Sequence, residues 1–177
     1  MIPRTLPFPF LLVLLLTGCA GLTQTPDDPV ACGLPHCSLT RAEGVRVVTE
    51  GGERFLVHDG SAMRVAVAAF PGTPATGTAN VDAVLAEWRP RLAPVVAWNQ
   101  APQAAPGFVV RGLSGDLRPP PGVYFQADPT KVWLGTYLNP TTGSTLVLRA
   151  EAPASEWAQG WAVFGPVVTR VALGYDF

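Results

Sequence analysis

This 177-residue chain has few metal-binding side chains, a single lysine and no phosphate-binding loop, and each of these absences argues against a class of function. Structural zinc takes four ligands, but the three cysteines and two histidines form only one local cluster, Cys32, His36 and Cys37. Lysine occurs once, at Lys131, and no basic stripe follows the chain, which argues against a nucleic-acid partner. Neither a P-loop nor a Gly-x-Gly-x-x-Gly phosphate loop is present. The sequence therefore indicates no cofactor, no metal and no nucleic acid.

The chain also lacks an apolar run of the roughly 20 residues that a transmembrane helix needs. Its apolar run from Leu6 to Leu16 follows Arg4 and contains two prolines, each of which weakens a helix. A charged start, a short apolar core and small residues behind it are typical of a secretory signal peptide.

The residues Leu16-Thr17-Gly18-Cys19, directly after that run, resemble the lipobox of bacterial lipoproteins. The resemblance implies cleavage before Cys19 and lipidation of its thiol, so that residues 1–18 are the signal peptide. Two or three acyl chains would hold the protein stably on a membrane without a spanning segment. Ala20 implies the outer membrane in organisms that sort lipoproteins, and otherwise we expect the outer face of the plasma membrane.

The sequence predicts a tether before the domain. Residues 20–31 lack hydrophobic periodicity and contain Pro-Asp-Asp-Pro, which suits a stretch that lifts a domain off the bilayer. We therefore predict a lipidated tether with a local disulfide over residues 19–43, and a single domain over residues 44–177.

The disulfide prediction concerns the two cysteines other than the lipidated one, Cys32 and Cys37. Exported proteins reside where thiols oxidise, and Gly33 and Pro35 favour the tight turn that a local bridge needs. So short a loop would contribute only about 2 kcal/mol of stability. A metal site that includes His36 and a redox-active pair are the alternatives.

The hydrophobic pattern predicts an α+β fold. We expect an antiparallel sheet of about six to seven strands with two helices packed on one face. Loops are expected over 71–77 and 97–107. The predicted elements are strands over 45–49, 54–58 and 63–70, a helix from Asn80 to about Arg89, strands over 108–113, 123–126, 132–138 and 144–151, and a final helix opened by Pro153 and broken or kinked at Gly165-Pro166.

The end of the chain resembles the end of PsbP-like domains. The residues that carry the resemblance are the strand ending Arg149-Ala-Glu-Ala-Pro153 and the helix opening Glu156-Trp157, within residues 143–170. It implies an α+β domain of a kind common in exported and lipidated proteins, mostly non-catalytic. No functional residues of this chain are inferred from the resemblance.

The aromatic residues give a candidate binding patch. Trp133 and Tyr137 share one face of a predicted strand, and with Tyr124 they would form an exposed patch if the helices cover the other face. Burial of these rings in the core is the alternative. The remaining aromatic pattern is a stripe on the final helix, which predicts that this helix docks on the sheet: Trp157, Trp161, Phe164 and Val168.

Catalytic motifs are incomplete. Ser114 lies in Gly-Leu-Ser-Gly-Asp, which lacks the final glycine of a nucleophile elbow. His58 and Asp59 would point to opposite faces of a strand and could not hydrogen-bond to each other there. We therefore expect Ser114 in a loop and Asp59 in a turn.

These observations support three hypotheses. The leading one is a membrane-anchored cell-envelope lipoprotein whose domain binds an envelope protein or a small ligand without catalysis. The alternative is a small hydrolase-type envelope enzyme whose site assembles from dispersed residues, with His58, Asp116 or Asp128 as acid or base. The third is a purely structural envelope protein.

Overall fold

The computed structural model describes residues 30–32, 37–39, 42–99, 107–123, 126–169 and 171–173. The lipobox and Cys19 lie outside the described residues. The strands, in chain order, are β1 (Val30–Ala31), β2 (Cys37–Leu39), β3 (Val45–Glu50), β4 (Glu53–His58), β5 (Ser61–Phe70), β6 (Val96–Trp98), β7 (Val109–Asp116), β8 (Thr130–Leu138), β9 (Thr145–Pro153) and β10 (Val171–Leu173). The helices are α1 (Pro74–Trp88) and α2 (Trp157–Thr169), and a 3-10 turn (Arg89–Arg91) follows α1.

Seven strands form one antiparallel sheet in the order β3-β4-β5-β9-β8-β7-β6, and β1, β2 and β10 form a small second sheet. The β3–β4 hairpin turns at Gly51-Gly52, where φ is +58° and +85°, a conformation that glycine adopts without steric cost. The large sheet with its two helices confirms the predicted α+β class.

The two helices cover opposite faces of the large sheet. α1 packs on β7, β8 and β9, against a core that includes Leu134 and Leu138, whereas α2 packs on β5 and β9, against a core that includes Tyr137 and Leu148. The prediction that both helices lie on one face is therefore wrong. The physical reason is that the four consecutive residues 145–148 of β9 are all buried, which requires cover on both faces.

α1 begins earlier than predicted, at Pro74 instead of Asn80, so the predicted loop over 71–77 is too long. Proline suits the first helical position because its missing N–H has no partner there. Gly77 lies inside the helix. This position favours glycine because a Cβ atom here would come within 2.5 Å of Leu138 Cδ1. This glycine marks a close contact between α1 and the sheet and does not mark a loop.

α2 begins at Trp157, since Pro153 is the last residue of β9 instead of the first of the helix. Phe164 and Val168 are fully buried, which agrees with the predicted docking of this helix on the sheet. The predicted interruption at Gly165-Pro166 does not end the helix, which continues to Thr169.

Two further predictions of the second half are corrected. A strand is expected over 123–126, but residues 123 and 126 do not lie in a strand. Residues 124 and 125 lie outside the described part of the chain. β6 lies at the start of the predicted loop over 97–107 and pairs with β7 as the edge strand. Short edge strands such as β6 carry too little sequence pattern to be identified alone.

The domain starts before residue 44. Cys32, Cys37 and Leu39 fall within the predicted tether, yet all three are buried in the α2-side core. Cys32 and Cys37 have Cα atoms 5.5 Å apart and sulfur atoms at bonding distance. These three residues of the predicted tether therefore belong to the folded domain. No helix among the described residues is long and apolar enough to cross a bilayer.

Candidate functional site

Four tryptophans form a row across the α2 side of the large sheet. Trp98 of β6 stacks on Trp133 of β8, with ring centroids 5.0 Å apart and planes inclined by 16°. Trp133 meets Trp161 of α2 at 5.6 Å and 58°, and Trp161 stacks on Trp157 at 5.4 Å and 14°. All four side chains are half-buried. We call these four residues the tryptophan row.

Two glycines make the floor of the row. Gly112 and Gly135 are direct cross-strand partners in β7 and β8. A Cβ atom on Gly112 would collide with the ring of Trp98, and one on Gly135 would lie 2.5 Å from Cη2 of Trp133. The absence of side chains at this pair creates a shallow trough in which the two indoles lie.

The row is held rigidly. Aromatic contacts of this geometry each contribute about 0.5 to 1.5 kcal/mol beyond the area they bury. Gly112 also lets the ring of Trp98 pack directly on β7, and Gly165 lets Trp161 pack with its Nε1 atom 3.1 Å from where a Cβ would stand. A rigid apolar surface loses little conformational entropy when a partner binds.

The structure places the three residues of the predicted aromatic patch in different surroundings. Trp133 belongs to the tryptophan row, and Tyr124 lies outside the described residues. Tyr137 is fully buried, and its hydroxyl donates a hydrogen bond to the carbonyl of Val168 at 2.5 Å. Burial raises the pKa of the Tyr137 phenol well above its usual range. Tyr137 is a core residue because α2 covers its face of β8.

Sequence reasoning missed Trp98 and treated Trp157 and Trp161 as core. Trp98 sits on a three-residue strand, where no periodicity is visible. The signal that could have identified the site is the pair of glycines inside two strands, because glycine in a strand interior often marks a close approach of another group.

The structure does not bring the candidate acids and bases together. His58 and Asp116 end β4 and β7, four strand positions apart in the sheet, which is about 19 Å at the usual spacing. His58 Nδ1 accepts a hydrogen bond from the Gly60 backbone N–H at 3.0 Å. Asp128 accepts bonds from the hydroxyl and the N–H of Ser155 at 2.6 and 2.9 Å, and these bonds lower the pKa of its carboxyl group. His58 and Asp128 thus stabilise turns.

The remaining catalytic motif is also part of the scaffold. Ser114 lies inside β7, not in a loop, and is paired with Trp133 of β8. Asp59 pairs with Arg46, with 3.0 Å between a carboxylate oxygen and a guanidinium nitrogen. Within the described part of the chain, no three His, Cys, Asp or Glu side chains form a metal site, and His36 lies outside it.

The seven-stranded antiparallel sheet with its two helices has the PsbP-like fold, as comparison with solved structures shows. It is similar to the solution structure of cyanobacterial PsbP (CyanoP) from Synechocystis, with a TM-score of 0.50, 12% identity, and coverage of 90% of this chain and 99% of that one. It is also similar to the crystal structure of LpqN, a protein involved in cell envelope biogenesis of Mycobacterium tuberculosis, with a TM-score of 0.50, 16% identity, and coverage of 82% and 89%. No protein-family model and no curated sequence matches the chain.

Proposed function

We propose that this protein is a lipid-anchored domain of the cell envelope that acts by binding another envelope protein, and that the tryptophan row is its contact surface. The observation that carries the proposal is the row itself: four half-buried indoles held in fixed geometry on one side of the domain. Tryptophan is among the residues most enriched where binding energy concentrates in protein interfaces.

A protein partner fits the row better than a sugar does. Sugar rings stack on free aromatic faces, but Trp98 and Trp133 turn faces toward each other, as do Trp157 and Trp161. Each stacked pair covers one face of both of its rings, so the row offers a sugar less free aromatic face than four separate rings would. A set of half-buried indoles suits the mixed apolar and polar side chains of a protein surface. The lipobox and the likeness to an envelope-biogenesis protein support the envelope as the place of action.

The binding test uses the soluble form that starts at Ala20 and envelope membranes of the source cell. We expect Trp157→Ala to weaken sedimentation with these membranes at least tenfold, which corresponds to about 1.4 kcal/mol. Phe70→Ala is the matched control, because Phe70 is an exposed aromatic residue outside the row (42% accessible). Prior protease treatment of the membranes should abolish binding.

Three outcomes would contradict the proposal. One is equal binding of Trp157→Ala and the unmodified domain, and another is the absence of saturable binding. The third is binding that survives proteolysis of the membranes, because it would identify a lipid or a glycan as the ligand.

Lipidation at Cys19 is tested separately by metabolic labelling with an alkyne fatty acid. We expect label in the wild-type protein and none in Cys19→Ser, since the lipobox assigns the acyl chains to that residue. A Cys32→Ser/Cys37→Ser double variant should keep the label. Label in Cys19→Ser, or none in the wild type, refutes the anchor.

A further inference from the structure

We propose that a cavity on the α1 side of the large sheet binds an anionic group, a carboxylate or a phosphate, with Arg149 as its principal donor. The cavity has a volume of about 350 Å³ and lies where the β3–β4 hairpin ends. We call it the hairpin cavity. It shares no residue with the tryptophan row, so the two proposals stand independently.

The register of the sheet creates the hairpin cavity. The ladder between β4 and β5 ends at the pair Arg54 and Val67, but β5 continues to Phe70. Beyond this point none of the described strands pairs with β5 on its β4 side. The small side chains of Ala66 and Ala68, which share the α1 face of β5, leave the space above them unfilled. The result is an opening with a floor of small residues.

Arg149 enters this opening from β9. Its side chain is 19% exposed, and its Nε atom is buried without a hydrogen-bond partner among the described residues. Its nearest carboxylates are those of Glu151, at 3.5 Å from Nε, and Glu53, at 3.7 Å from a terminal nitrogen. Both distances exceed the length of a normal N–H···O hydrogen bond, which is about 2.7 to 3.2 Å. Arginine carries five N–H donors, and because Nε is buried, the donors that Arg149 offers a ligand are those of its terminal nitrogens.

The neighbours of Arg149 fix the direction of its guanidinium. The Cζ atom lies 4.8 Å from the centroid of Trp88, in the last turn of α1. A guanidinium stacked on an aromatic face is held flat and presents its donors along its edge. This geometry suits bidentate hydrogen bonding to a carboxylate or a phosphate.

Charge and shape of the lining narrow the ligand class. The charged residues of the lining are Arg54, Arg149 and Glu53, and Glu151 lies 3.5 Å from Arg149 outside the lining, so the formal charges balance. The lining itself presents two guanidinium groups and one carboxylate, which favours an anion over a cation. The remaining wall includes Trp88 and Leu134, so the ligand should carry an apolar part next to its acidic group. The volume lies at the small end of ligand pockets, which run from about 300 to 1,000 Å³.

Cys32, from the α2-side core, also lines the hairpin cavity, so the cavity extends round the open edge of β5 to the place where the chain enters the domain. Twelve residues lie between Cys19 and Cys32, and the thirteen Cα-to-Cα steps that join the two cysteines span at most about 45 Å. If Cys19 is lipidated as proposed above, a membrane lipid with an anionic headgroup is within reach. A soluble metabolite with the same chemistry is the other source.

The test is calorimetric titration of the soluble form that starts at Ala20 with octanoate and octyl phosphate, with octanol as the uncharged comparison. We expect saturable binding of at least one anion, at least tenfold weaker binding of octanol, and at least tenfold weaker anion binding to Arg149→Gln. Arg46→Gln is the matched control, because it removes the same charge from an exposed ion pair outside the cavity and should change the dissociation constant less than twofold.

A second variant keeps the test decisive if Arg149→Gln fails to fold. Ala68→Leu fills the cavity from its floor without altering Arg149 and should also remove binding. No saturable anion binding, equal binding to octanol, or unchanged binding by a folded Arg149→Gln or Ala68→Leu variant overturns the proposal.

The source of the anion is decided with vesicles. Arg149-dependent sedimentation with phosphatidylglycerol vesicles, and not with phosphatidylcholine vesicles, identifies a lipid headgroup. Anion binding in solution without such sedimentation identifies a soluble ligand. Loss of lipidation at Cys19 would remove only the lipid source and would leave the titration result intact.

Discussion

Replacing Phe164 with alanine should lower the free energy of unfolding by about 3 to 5 kcal/mol. Phe164 is fully buried in the α2-side core, where its ring fills space between the helix and the sheet. Because domains of this size are typically stable by only about 5 to 15 kcal/mol, the variant should be close to unfolding at physiological temperature. Chemical denaturation of the soluble form measures the change.

Phe70→Ala is the control for this measurement. It truncates the same ring at an exposed position and should cost about 0.5 kcal/mol or less. A loss below about 1 kcal/mol for Phe164→Ala would mean that α2 does not dock on the sheet in solution.

Trp161→Ala has the second-largest expected effect, about 2 to 4 kcal/mol. Trp161 stands in the middle of the tryptophan row, so its removal deletes the contacts with both Trp133 and Trp157. The sequence pattern alone predicts about 3 to 5 kcal/mol, as for a core residue. The lower value follows because the side chain is half-buried.

The same denaturation experiment tests this value, and near-ultraviolet circular dichroism reports on the stacked rings. We expect Trp161→Ala to lose much of the aromatic signal while the far-ultraviolet spectrum stays that of a folded domain. An unchanged aromatic signal would contradict the packing of the row.

Local patterns were sufficient for the parts of the fold that depend on local geometry. The Gly51-Gly52 hairpin follows from the conformational preference of glycine, and the stripe of Phe164 and Val168 follows from helical periodicity. The resemblance of residues 143–170 to PsbP-like domains implied the right class of fold.

The rest depended on contacts between distant segments. The helices cover opposite faces of the sheet because residues 145–148 of β9 are buried on both faces. In the sequence, these residues indicate only one strongly apolar strand and do not show on which face each helix lies. Gly77 looks like a loop residue until its contact with Leu138 is known. Tertiary contacts of this kind override local propensity.

The candidate sites illustrate the same limit. The tryptophan row joins residues from β6, β8 and α2, so no single segment carries its pattern. Arg149 lies in the second half of β9, where charged residues alternate with alanines as on an ordinary strand, and the cavity beside it comes from the early end of the β4–β5 ladder. Neither the register nor the strand order could be derived from one sequence.

The most direct test of the central claim is oxidative footprinting by mass spectrometry, which compares the purified soluble domain with the full-length protein in its native envelope. If the tryptophan row is a contact surface, oxidation of Trp157 and Trp98 should fall several-fold in the envelope, while oxidation of the exposed control Phe70 stays unchanged. Equal oxidation of the row in both preparations would contradict the account, because it would mean that nothing covers these rings where the protein works.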